Sequence, residues 1–130
     1  MGKIGRIAAD LGPNAVARCK GISIKALRHY EKIGLLQPRR TTRGWRLYDR
    51  EDLTRVDEIL AFRAMGFELA QIADLLGATP DVIAAALAAQ AQHLTAREQQ
   101  VRAALAAIRE AQDRLESDPA PQPKASTLAA

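Results

Sequence analysis

Apolar positions return at helical spacing along most of this chain, and glycine or proline punctuates them. Pro13–Lys20 reads as a first helix, because proline suits the first helical position and Val16 and Ala17 then face inward. Gly21-Ile22 makes a turn, and Ser23 is a good N-cap for a second helix that ends at the Gly34-Leu35-Leu36-Gln37-Pro38 break. Arg39–Gly44 then reads as a hairpin tip. Asp49 caps a third helix, with Asp52 in its first turn and Leu53, Val56, Leu60 and Ala64 on one face until Gly66. A fourth short helix begins at Phe67-Glu68, carries Leu69, Ile72, Leu75 and Leu76, and closes at Gly77. The expected core is Leu27, Leu35, Leu36, Leu47, Leu53, Val56, Leu60, Phe67, Ile72, Leu75 and Leu76. Residues 1–12 are ambiguous: Ile4–Ala8 also resembles a helix start, but Gly12-Pro13 interrupts it.

From Asp81 to about Ser117 there is neither glycine nor proline, and alanine is abundant. Leu87, Leu94, Val101, Ile108 and Leu115 recur every seven residues, with Ala91, Glu98, Leu105 and Gln112 as the companion seam. A helix of this length spans about 55 Å at 1.5 Å per residue, more than a small domain needs. Its apolar stripe has to be covered, either by a second copy in a coiled coil or by folding back on its own domain. Asp118–Ala130 has three prolines among small polar residues and is expected to be disordered.

The net charge of +4 hides a division. Residues 1–50 hold twelve Lys or Arg and three acids, whereas residues 51–130 hold seven and twelve. Within Arg18–Arg46 nine cations accompany one acid, Glu31. Such a run can be a solvated face, but a basic helix followed by a basic, glycine-turned loop fits phosphates and a DNA groove. The single cysteine, Cys19, leaves no internal disulfide, and free cysteines are usually buried and inert. His93 stands alone, so no metal and no cofactor are expected. No nucleophile–base pairing or phosphate-cradling glycine loop suggests an enzyme. With no long apolar run, the expected location is cytoplasmic, without membrane contact.

Six stretches carry a resemblance: Gly21-Ile22-Ser23, Ala26–Glu31, Ile33–Pro38, Gly44–Tyr48, Asp52–Val56 and Arg63–Phe67. In sequence and spacing they resemble the DNA-binding domain of the MerR (mercury-resistance-regulator) family of bacterial winged-helix transcription factors. The resemblance implies a mainly α fold, a winged helix-turn-helix head followed by a long dimerisation helix that forms an antiparallel coiled coil. The corresponding division is an extension (1–12), the head (13–77), the dimerisation helix (78–117) and the tail (118–130). Three departures stand out: His29 replaces the first of an aromatic pair, Trp45 replaces the usual wing tyrosine, and about twelve residues precede helix one.

On the family's motif, Lys25, His29 and Tyr30 are candidates for base-edge or adjacent phosphate contacts from the exposed face of helix two. His29 would make such a contact responsive to pH. Arg28 holds a phosphate or bridges to an acid of its own domain. Arg39, Arg40, Thr42 and Arg43 decorate the wing tip, Arg46 is a phosphate clamp, and Trp45 adds to the DNA surface. Tyr48 supports the hairpin or contacts DNA. Leu87, Leu94, Val101, Leu105, Ile108 and Leu115 are the dimerisation candidates. The resemblance implies a homodimer on a pseudopalindromic promoter operator in double-stranded DNA, acting on RNA polymerase through distortion of the promoter. An architectural DNA protein of the excisionase or nucleoid-factor type, and an adaptor related to chaperone modulators, are the competing readings.

Overall fold

A computed structural model describes residues 10–117. The sequence readings for Ile4–Ala8 and for the tail from Asp118 lie outside the described residues. The chain divides into two compact units at Ala85/Ala86.

The first unit is built from short helices that end where the sequence lets the backbone turn. Helix α1 is Pro13–Lys20, with Pro13 in its first turn. Gly21 ends it at φ +71°, a left-handed conformation that costs glycine little, and its amide and that of Ile22 both donate to the Ala17 carbonyl. Helix α2, Ile24–Lys32, begins at once, because the Ser23 hydroxyl accepts from the Ala26 amide at 3.0 Å. This tight helix–turn–helix packs α1 against α2.

A two-stranded antiparallel hairpin follows, β1 (Arg39–Arg40) and β2 (Arg46–Leu47). It leads into α3, Arg50–Ala64, which is capped reciprocally: the Asp49 carboxylate accepts from the Asp52 amide at 2.9 Å and that of Asp52 from the Asp49 amide at 3.0 Å. Accepting the Asp52 amide holds the Asp49 carboxyl below its usual pKa, while burial holds that of Asp52 above it. Helix α4, Leu69–Leu75, starts two residues later than the pattern predicts. Glu68 takes the N-cap position, its amide donating to Gln71 Oε1 at 2.9 Å. Phe67 instead packs edge-on against Phe62, ring centroids 5.7 Å apart.

The core of this unit contains seven of the expected residues, namely Leu27, Leu35, Leu36, Val56, Phe67, Ile72 and Leu75, together with the inward-facing Val16 and Ala17. Leu47, Leu53, Leu60 and Leu76 are half-buried instead. Tyr30, Tyr48 and Ile59 join the core. On α3 the buried pair is Val56 and Ile59, three residues apart, so the inward face is centred one residue earlier than a stripe through Leu60 would place it.

The stretch before α1 also has a structural role. Leu11 and Tyr48 exchange both backbone hydrogen bonds at 2.8 Å, so Leu11 forms an antiparallel bridge beside the hairpin. The long helix α5, Pro80–Ser117, runs for 38 residues, most of it in the second unit. None of its residues is buried, and Leu87, Leu94, Val101, Leu105, Ile108 and Leu115 all stand exposed.

Candidate nucleic-acid interface

Helix α2 sorts its side chains by the 3.6-residue repeat. Leu27 and Tyr30, three apart, face the core, leaving Lys25, Arg28, His29 and Lys32 exposed. Tyr30 is therefore a correction to the sequence reading: at 7 % exposure it packs inside and is off the exposed face. Its carbonyl accepts from the amides of Leu35 and Leu36, which closes the turn after the helix. Tyr48 is likewise inside: of the two readings left open it takes the support of the hairpin, with a ring that is fully buried.

Thr41 organises the wing tip more than Thr42 does. Its hydroxyl oxygen accepts from the amides of Arg43 (3.2 Å) and Trp45 (3.1 Å). Its carbonyl accepts from Gly44 and its amide donates to the Trp45 carbonyl, both at 2.8 Å. Gly44 completes the turn at φ +84°, a conformation unfavourable for residues with a Cβ. Thr42 and Arg43 are left exposed at the tip. Trp45 is 64 % exposed, and the Arg43 guanidinium lies over its ring, 5.6 Å from the centroid.

The remaining wing cations are tied to acids of the same unit. Arg39 pairs with Asp10. Arg46 donates through Nε to Glu31 Oε1 at 2.5 Å, and Arg40 through Nη2 to Glu31 Oε2 at 3.4 Å. Arg40 also donates to the Gly44 carbonyl at 3.0 Å. Arg28 itself has no ion pair among the described residues; the intramolecular bridges form at Arg39, Arg40 and Arg46. Arg28, Trp45 and Arg46 share the walls of one open cleft of about 310 Å³ between α2 and the wing. Burial and then the nearby Glu31 charge push the Tyr48 phenol above its usual pKa.

Sequence reasoning missed Thr41, Glu31 and Asp10 as organisers of this face. A lone acid inside a run of nine cations was the available signal for Glu31. Cys19 is exposed, against the usual burial of a free thiol. Among the described residues no group of three or more potential metal ligands converges, and no helix is long and apolar enough to cross a membrane.

A capped helix–turn–helix with a cationic second helix, flanked by a basic two-stranded wing and followed by a long helix, defines a winged helix-turn-helix fold. The model of the MerR HTH family of regulatory proteins matches residues 13–79, and the chain belongs to that family. It is 45 % identical over 83 residues to the HTH-type transcriptional regulator SkgA of Caulobacter vibrioides, covering 63 % of this chain and 32 % of SkgA. It is likewise 45 % identical over 62 residues to the HTH-type transcriptional activator mta of Bacillus subtilis, covering 47 % of this chain and 24 % of that protein. The chain therefore spans a third or less of these curated relatives. Among solved structures, the N-terminus of the Bacillus subtilis multidrug transporter activator, MtaN, superposes with a TM-score of 0.72 at 34 % identity, over 78 % of this chain and 96 % of that one. A MerR-family regulator from Bacillus cereus gives 0.74 at 25 % identity, over 86 % and 87 %.

Proposed function

We propose that this chain is a sequence-specific DNA-binding transcriptional regulator that works as a homodimer in the cytoplasm. The observation that carries the reading is the cationic face of α2 and the wing, where Arg28 shares a cleft with Trp45 and Arg46, Arg43 lies over the Trp45 ring, and Lys25 and His29 stand exposed on the same helix. A helix of this kind reads base edges in a major groove while wing cations and an exposed aromatic fix its register on the backbone. Two heads joined through the apolar stripes of α5 would engage the halves of a pseudopalindromic operator. The transcriptional regulator and the transcriptional activator among its relatives support a role in transcription, for which a promoter and RNA polymerase would be the partners. Control would come from distorting a promoter whose spacer is overlong, and deforming a site of about 20–30 base pairs costs on the order of 1–10 kcal/mol, which protein–DNA contacts have to offset.

Operator affinity across a salt series tests this reading. The wild type should show a steep negative slope of log affinity against log salt, about 0.9 per phosphate engaged. Replacing Arg43 and Arg46 together by Ala should flatten that slope by about one, the share of Arg43, because Glu31 already holds Arg46. An unchanged slope would remove the wing from the interface, and a wild type that binds no DNA would overturn the reading altogether.

A further inference from the structure

We propose that Glu31 is a specificity-determining positioning residue, which locks the wing to the recognition helix by occupying arginine donors that DNA phosphates would otherwise take. The inference rests on the DNA-binding reading above and goes beyond it.

The hairpin needs such a lock. A two-stranded hairpin alone is marginally stable in water. Here Arg40 and Arg46 sit directly opposite each other in its register, and like charges so placed destabilise the pairing. Glu31, the one acid between Arg18 and Arg46, offers one carboxylate oxygen to each of them. The Glu31 and Arg46 side chains are 22 % and 26 % exposed, so water screens this pair less than a fully exposed one. Because Arg40 also holds the Gly44 carbonyl, the link continues from α2 to the wing turn.

The consequence differs between cognate and random DNA. Base readout by Lys25 or His29 requires the helix to sit in one register, which backbone contacts from the wing define. Random DNA has no such requirement and responds mainly to the number of available cations. Glu31 therefore lowers affinity for DNA in general while preserving the geometry that a cognate site rewards.

The test uses the full chain, a duplex selected by the wild type from a random pool, and a scrambled duplex of equal length. Glu31→Gln should raise affinity for the scrambled duplex severalfold, leave affinity for the selected duplex equal or lower, and so reduce their ratio about tenfold. Its salt slope on scrambled DNA should steepen by up to about two, as Arg40 and Arg46 become free for phosphates. Glu31→Asp keeps the charge but is one methylene shorter. It should lose much of the ratio with little change in slope. Asp57→Asn adds the same net charge on a pair with Lys20 that includes no wing residue, and should raise both affinities by one factor. Thermal unfolding of each variant identifies any that fail to fold, and Glu31→Asp then carries the test. Equal changes on both duplexes for Glu31→Gln, or an unaltered ratio for Glu31→Asp, would overturn the proposal. A wild type that selects no duplex and binds none with a salt slope would instead overturn the DNA-binding reading.

Discussion

Replacing Tyr48 by Phe should stabilise the protein. The ring is fully buried, and its hydroxyl finds no hydrogen-bond partner among the described residues. A buried polar group without a partner costs roughly 1–3 kcal/mol, and phenylalanine fills the same ring volume without it. The expected gain at neutral pH is about 1 kcal/mol, or about 4–8 °C in the melting temperature of a head this size. Titration gives a second arm. Burial and then the Glu31 charge raise the phenol above its ordinary 10.0, so folding favours the protonated form. A group whose folded pKa is raised contributes stability that is complete below the unfolded value and is lost as pH rises through the folded one. The wild type should therefore lose this contribution above about pH 10 and the variant should not, so the gap between them widens there. Paired urea melts of both proteins at pH 7 and pH 10.5 measure both arms. A Tyr48→Phe protein less stable than wild type by more than about 0.5 kcal/mol at pH 7 would show that the hydroxyl is satisfied, and the reasoning would fail.

The α3 cap and the α5 stripe give two further expectations. Asp49→Ala should cost about 0.5–2 kcal/mol at pH 7 in urea melts, while Asp49→Asn, which keeps an acceptor, should cost less. Because the Asp49 pKa is depressed, its charged contribution is complete above the ordinary 3.8 and is lost as pH falls through the lower folded value, so the wild-type advantage over Asp49→Ala should shrink in acid. Val101→Glu, in the middle of the exposed α5 stripe, should weaken a two-chain seam by about 3 kcal/mol or more and give a monomer with a folded head in sedimentation equilibrium. A variant that stays dimeric would mean that the stripe is not the seam.

Much of the fold was legible because local rules decide it. Ser23, Asp49 and the glycines at 21, 34, 44, 66 and 77 bound the elements near where their chemistry places them, and each of these glycines has positive φ. Long-range choices were harder to read. Tyr30 lies among cations and looks like a contact residue, although its spacing from Leu27 puts it on the inner face. Leu11 gave no pattern, because a single bridge to Tyr48 has no period to detect. The sequence marks Asp52 as a favourable first-turn acid, yet it also closes the cap in return.

The site shows why counting charges differs from locating them. Nine cations lie between Arg18 and Arg46, but Lys20, Arg39, Arg40 and Arg46 pair with Asp57, Asp10 and Glu31, acids that mostly lie well away in sequence. A paired cation that meets a phosphate exchanges one anion for another, and its intramolecular carboxylate competes at high effective concentration. An unpaired cation on α2 gives up only water and counterions. The exposed helix residues Lys25 and Arg28 should thus dominate affinity, while the paired wing residues contribute mainly through the geometry they hold. A basic run therefore says where a polyanion can bind, and the few acids inside and around it decide how selectively.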